Sequence, residues 1–150
     1  MEEPEAWDAW ADDVARHVAA GYDRLDLLTA VDRPRSDRIE VVIHLQRRTE
    51  PGTLEGVWGR TLLDRGDPVL ASVTSVLPAA AWHEREIAEM FGVEVRGHPD
   101  PRPLLLSDHA APPLRKDTPL VARLDTSWPG QAEGARAKAP GVPAEWRQDR

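Results

Sequence analysis

Ile39-Glu40-Val41-Val42-Ile43-His44-Leu45-Gln46 is the stretch that decides the fold. Ile39, Val41, Ile43 and Leu45 occupy every second position, and Glu40, Val42, His44 and Gln46 lie between them, which is the period of a β-strand with one buried face. Upstream, Leu25 to Val31 reads as a second strand, separated from the first by a turn built from Asp32, Pro34, Ser36 and Asp37. Downstream, Pro51-Gly52 is a turn, and Leu54 to Leu63 is a weaker strand because Gly56 and Gly59 dilute it. Asp64 to Pro68 turns again, and the β-branched residues of Val69 to Leu77 predict a further strand.

Two helices flank these strands. Trp7, Trp10, Ala11, Val14 and Val18 recur at spacings of three and four, so Glu5 to Ala20 is expected to form an amphipathic helix that Gly21 terminates. Ala79 to Phe91 reads as the second helix, with Pro78 at its start and Gly92 at its end. Val93 to Arg96 is a short strand. After Gly97, the prolines at 99, 101, 103, 112, 113 and 119 favour extended backbone over helix. The expected fold is therefore α+β and two-layered: an N-terminal amphipathic helix and a second helix pack on a mixed β-sheet, followed by an extended Pro-rich C-terminal arm.

The chain has 150 residues, of which 15 Leu, 3 Ile, 13 Val and 1 Phe are the strong core formers. From Asp125 to Arg150 only Val142 belongs to that set. Residues 1–124 are accordingly expected to form one domain, with the arm beginning at about 97, and 125–150 to be a flexible or partner-ordered tail. A net charge of -7 argues against nucleic acid as a partner. With no cysteine, the chain holds no disulfide, thiolate nucleophile or Cys-ligated metal centre. The acidic start, Glu2, Glu3 and Glu5, is the reverse of a signal peptide. Pro68 to Trp82, the longest stretch without formal charge, is too short and polar to cross a bilayer. The expectation is a soluble chain that meets a membrane only through other proteins.

Few residues offer autonomous chemistry. His83-Glu84-Arg85-Glu86-Ile87 invites comparison with the zinc-protease helix His-Glu-x-x-His, but Ile87 stands where the second ligand must fall. His98, Asp100, Asp108, His109 and Asp117 match no standard metal constellation, and Gly97-His98-Pro99-Asp100 reads as a turn in which His98 and Asp100 bond local backbone. On the second helix, His83, Ile87, Met90 and Phe91 cluster on one side, and Trp82, Arg85, Glu86 and Glu89 on the other. The first side reads as core. The second reads as a solvated face, or as a protein contact anchored by Trp and Arg.

Three motifs together resemble one family. Trp82-His83-Glu84-Arg85-Glu86-Ile87-Ala88-Glu89-Met90-Phe91-Gly92-Val93 is similar to the Glu-Arg-Glu helix of the 30 kDa subunit (the C subunit) of NADH-quinone oxidoreductase, respiratory complex I. Gly97-His98-Pro99-Asp100 with Arg102 resembles the stretch after it, and Pro113-Leu114-Arg115-Lys116-Asp117 the closing motif. The resemblance spans roughly residues 22–121 and departs from the family's usual residues at His83, Pro101, Pro103, Pro112 and Thr118. It implies a member of the peripheral arm, on the cytoplasmic side of the cell membrane, with no catalytic residue, metal or cofactor of its own. Iron–sulfur clusters, FMN, NADH and quinone would reside in partner subunits. The implied partners are the large quinone-pocket subunit (the D subunit) and the iron–sulfur subunits B and I. The complex would couple electron transfer to proton translocation.

The residues expected to form the interface or its structural motif are Trp82, Glu84, Arg85, Glu86, Glu89, Phe91, Gly92, Gly97, His98, Pro99, Asp100, Arg102, Leu114, Arg115, Lys116 and Asp117, with Glu84, Arg85 and Glu86 as its ionic centre. The arm is expected to gain order only against a partner. The alternatives are the equivalent subunit of a membrane-bound nickel–iron hydrogenase, and a stand-alone metal-dependent hydrolase using His83, Glu84 and His98.

Overall fold

The computed structural model describes residues 5–106 and 113–118. Asp108, His109, Pro112, the expected boundary near 124 and the tail from 125 lie outside the described residues. The elements, in chain order, are β1 (Glu5–Ala6), α1 (Trp10–Ala19), β2 (Arg24–Arg33), β3 (Arg38–Glu50), β4 (Thr53–Asp64), β5 (Val69–Ala71), α2 (Ala80–Phe91) and β6 (Glu94–Arg96). The architecture is the expected α+β one. A four-stranded sheet has the order β1-β4-β3-β2, and β5 and β6 form a separate parallel pair. The sheet is mixed, because β1 runs parallel to β4 whereas β4, β3 and β2 are antiparallel.

Alternation on β3 fixes the layers. Ile39, Val41, Ile43 and Leu45 are fully buried and join Leu28 and Ala30 of β2, Val14 of α1, Ile87 of α2, and Leu70 and Val93 in a single core cluster. Burying a side chain of this size contributes roughly 1.5–3 kcal/mol relative to exposure. A one-residue slip would turn the whole set to solvent, so the register is strongly specified.

Three expected elements differ. The first helix starts at Trp10 instead of Glu5: Glu5 and Ala6 pair with Gly59 and Arg60, and the Trp7 amide donates to the Arg60 carbonyl at 2.7 Å. Trp7 is thus buried from an extended segment, and its three-residue spacing from Trp10 mimics a helical face. The strand expected to be weak, β4, pairs along β3 over nearly its whole length. Its glycines make room for aromatic rings, since a Cβ at Gly59 would collide with the Trp7 indole, and one at Gly56 with the His44 imidazole. The strand expected over Val69–Leu77 stops at Ala71 and gives way to a turn closed by the Leu77 amide on the Val73 carbonyl at 2.8 Å.

Gly59→Ala is expected to displace the buried Trp7 indole and to cost about 1–3 kcal/mol. Denaturant unfolding followed by tryptophan fluorescence measures it. A native emission maximum with unchanged stability would show that the close approach of Trp7 to β4 is unimportant.

Candidate functional site: the second helix and its arm

Helix α2 is rotated from the expected orientation. Ala80, Glu84 and Ile87 point inward, whereas His83 is half-buried with its ring edge-on to Trp82. Phe91 packs at the margin of the core. The orientation follows from Glu84, whose side chain is 0% exposed. Its carboxylate accepts the Ser72 hydroxyl at 2.6 Å and the Val73 amide at 2.7 Å, so it closes the turn that replaces the end of the expected strand. Burial pushes its pKa above the ordinary range, and the bonds from Ser72 and Val73 oppose that shift. Glu84 therefore bonds inside this chain and lies apart from the exposed charges of the helix.

The outer residues of α2 grip the arm. Arg85 donates through Nε to the Arg102 carbonyl at 2.8 Å and through Nη2 to the Pro103 carbonyl at 2.7 Å, and Asp100 lies 3.7 Å from its Nη1. One turn along, the Glu89 carboxylate accepts the amides of Leu104, Leu105 and Leu106 at 3.3, 2.7 and 2.9 Å. An extended segment has no internal partners for its backbone groups, and these two side chains supply them. Glu86 makes no hydrogen bond or ion pair among the described residues.

The turn between helix and arm is fixed as tightly. Gly97 has φ +84, which favours glycine. His98 Nδ1 accepts the Asp100 amide at 3.0 Å, so its other nitrogen bears the proton and donates to the Ala81 carbonyl at 2.9 Å. The same nitrogen lies 3.9 Å from Glu84. Asp100 holds Arg102 through two bonds of 2.6 and 2.7 Å, and that guanidinium keeps the Asp100 carboxyl well below the usual aspartate range. Pro99 is exposed.

The closing motif is latched at the C-terminal end of α2. Arg115 donates to the Phe91 carbonyl at 2.8 Å and to the Arg65 carbonyl at 2.7 Å. A cation at a helix C-terminus also opposes the helix dipole favourably. Gly92 is glycine for two reasons, a φ of +66 and a Cβ that would meet Pro113 at 2.6 Å. The Lys116 amide donates to Asp32 at 2.8 Å, and Arg65 bridges Asp32 to Asp117 with bonds of 2.7 and 2.5 Å. Hydrogen bonds from Arg65 hold both carboxyls below the ordinary aspartate range. The described parts of the arm are therefore bonded by this chain's own side chains.

Two residues of this latch, Asp32 and Arg65, read in the sequence as turn residues and not as site residues. Asp32 leaves a signal, because it continues the inward alternation of Leu28 and Ala30 on β2 and so places a carboxylate at a core position. Arg65 leaves none. Between α2, β6 and the arm lies an open cavity of about 450 Å³, with Ala88, His98, Pro103 and Leu106 in its wall. Among the described residues, no three His, Asp or Glu side chains converge to hold a metal ion.

All three motifs lie inside the stretch that a known family matches. The family described as "Respiratory-chain NADH dehydrogenase, 30 Kd subunit" matches residues 2–123. This chain belongs to that family. A 30 kDa-family relative, the C subunit of NADH-quinone oxidoreductase from Moorella thermoacetica, is 43% identical over 98 residues, covering 65% of this chain and 64% of the relative. The C subunit of F(420)H(2) dehydrogenase from Methanosarcina mazei is 37% identical over 98 residues, covering 64% and 60%. The chain thus spans about three-fifths of the length of these curated relatives.

Among solved structures, the trypsin-resistant fragment (1-134) of Nqo5 matches with a TM-score of 0.56 and 26% identity, over 64% of this chain and 78% of the fragment. A chain of the archaeal membrane-bound sulfane sulfur reductase shares the fold, with a TM-score of 0.61 and 22% identity over 73% of this chain and 67% of its own. No described helix of this 30 kDa-family chain is long and apolar enough to cross a membrane.

Proposed function

We propose that the chain is a cofactor-free, interface-forming subunit in the peripheral arm of an NADH-quinone oxidoreductase, on the cytoplasmic side of the membrane. It would brace the large D subunit, which shapes the quinone pocket, beside the iron–sulfur subunits B and I. FMN, the clusters, NADH and quinone would belong to those neighbours, and the complex would couple their electron transfer to proton translocation. One observation carries this reading. Arg85, Glu89 and Arg115 use their charges to hold the arm from behind, while Trp82, Leu105 and Leu114 stay 48, 53 and 54% exposed. Ordered apolar and aromatic side chains presented outward are what a permanent partner surface needs.

Purifying the native assembly through a tag on this chain tests the proposal, since the large quinone-pocket subunit and both iron–sulfur subunits should come with it. In the Arg85→Ala strain, the Arg102 and Pro103 carbonyls lose their donor, and recovered complex is expected to fall roughly fivefold to tenfold, with quinone reduction falling in parallel. Normal recovery and a normal rate would remove the role.

The F(420)H(2) dehydrogenase relative favours a second reading, in which the same module serves a membrane-bound complex with another electron donor. A nickel–iron hydrogenase is one such complex. FMN and NADH oxidation in the purified assembly support the first reading, whereas nickel or F(420)H(2) oxidation supports the second.

A further inference from the structure

We infer that the helix-free face of the four-stranded sheet is a second docking surface, made for a protein partner that presents an apolar centre bordered by carboxylates. Both helices contribute to the single core cluster, which lies on the side of Ile39, Val41, Ile43 and Leu45. No described element covers the opposite side. An antiparallel sheet with one solvated face ordinarily alternates cleanly, apolar inward and polar outward. This one does not. The strand pairing sets Leu27, His44 and Trp58 in one outward row, and Val31, Glu40 and Leu62 in another. Leu27 is 36% and Leu62 is 58% exposed. Trp58 is held flat by stacking on His44 at 4.2 Å, and His44 is fixed in turn by Asp26 at 2.7 Å. A rigid tryptophan amid outward leucines is an anchor that solvation alone does not explain.

The charges on this face name the partner's chemistry. Glu40 points outward and yet is only 5% exposed, because Arg33 closes over it at 2.6 Å and Arg60 at 3.5 Å. Two guanidiniums on one carboxylate leave a local positive excess. The paired strands also place Arg24, Arg38 and Arg48 outward, of which Arg38 pairs with Asp64 at 3.0 Å. The other described carboxylate at this face besides Glu40 is Asp26, bonded to His44. A basic rim on a chain of net charge -7 complements an acidic surface. Interspersed carboxylates fit the patterned charge of a protein better than an anionic bilayer, which attracts unmixed basic clusters.

This inference rests on the proposed function, because it assumes a native assembly. The chain has no natural cysteine, so Leu62→Cys gives a single thiol on the face, opposite Glu40. Its reaction with a maleimide should be at least about tenfold slower in the tagged, purified assembly than in the free chain, while Ala19→Cys at the exposed last residue of α1 reports general accessibility. Joint Arg24→Glu and Arg48→Glu substitution should reduce the chain's retention in the assembly by about tenfold at moderate salt.

Equal Leu62→Cys rates in free chain and assembly would overturn the docking surface. So would slow reaction in the free chain, which would assign the face to the chain's own remaining residues. Protection of the free chain by phosphatidylserine vesicles would also overturn it, in favour of a lipid. If the tag brings down no redox partner, the proposed function itself has failed. If it brings down the complex with Leu62→Cys fully reactive, only this inference has.

Discussion

Replacing Glu84 by alanine is expected to lower the unfolding free energy by about 2–4 kcal/mol, from two buried donors left unsatisfied and the void left behind. The carboxylate accepts from both the Val73 amide and the Ser72 hydroxyl, and its side chain fills space in the core layer that Ile87 shares. Alanine strands both donors and leaves a void. Glu84→Gln should cost less, about 1–2 kcal/mol, because the amide oxygen can accept from Val73 and the amide nitrogen can donate to Ser72 Oγ. Urea unfolding of the two variants measures the difference, and a loss below about 1 kcal/mol for alanine would refute the account.

The pH dependence supplies an independent readout. The folded pKa of Glu84 is raised by burial, so in the window above the ordinary glutamate value of about 4.3 the folded state holds the proton more tightly than the unfolded one. Its contribution is therefore fully present below that value and is lost as pH rises through the folded pKa. Glutamine has no such proton. The stability gap between wild type and Glu84→Gln should shrink as pH rises from about 4 toward 7. A gap that widens would mean that the carboxylate is stabilised as the anion.

The helices and strands legible in the sequence are those whose side chains answer to the core alone. Ile39, Val41, Ile43 and Leu45 fall on every second place because β3 is central and its inner face is buried along that length. Ala79 to Phe91 ends at Gly92 because its φ of +66 ends it there. The failures each have a distant cause. Gly56 and Gly59 look like defects in β4 until His44 and Trp7, from another strand and from the chain's start, are laid over them. Val69 to Leu77 carries the β-branched Val69, Val73, Thr74 and Val76, but Glu84, twelve residues beyond Ser72, withdraws the Val73 amide from any ladder. At the site, the motif positions are readable, but the direction of their charges is not. An Arg–Glu helix face looks the same whether it grips a partner or grips its own chain, and only the arm's carbonyls and amides separate the two.

Asp32→Ala is expected to release the closing motif while leaving the sheet folded. Asp32 is 3% exposed and collects three donors, Arg65 Nε at 2.7 Å, Arg65 Nη2 at 3.2 Å and the Lys116 amide at 2.8 Å. A carboxylate buried this far is tolerable only while paired, and it anchors the arm's backbone on β2. Losing it should cost about 2 kcal/mol and speed amide exchange at Lys116 by at least about tenfold, because that hydrogen loses its acceptor. Tryptic cleavage after Arg115 and Lys116 should accelerate in step.

The sign with pH is opposite to that at Glu84. Arg65 depresses the folded pKa of both Asp32 and Asp117, so the latch's stability is present above the ordinary aspartate value of about 3.9 and is lost as pH falls through the folded values. Asp32→Asn keeps the shape, loses the charge and should flatten that acid limb. Unchanged Lys116 exchange in Asp32→Ala would show that Arg115, through Phe91 and Arg65, holds the arm alone. Rapid exchange would instead place the latch on Asp32, so that the surface carrying Leu114 is in position before any partner arrives.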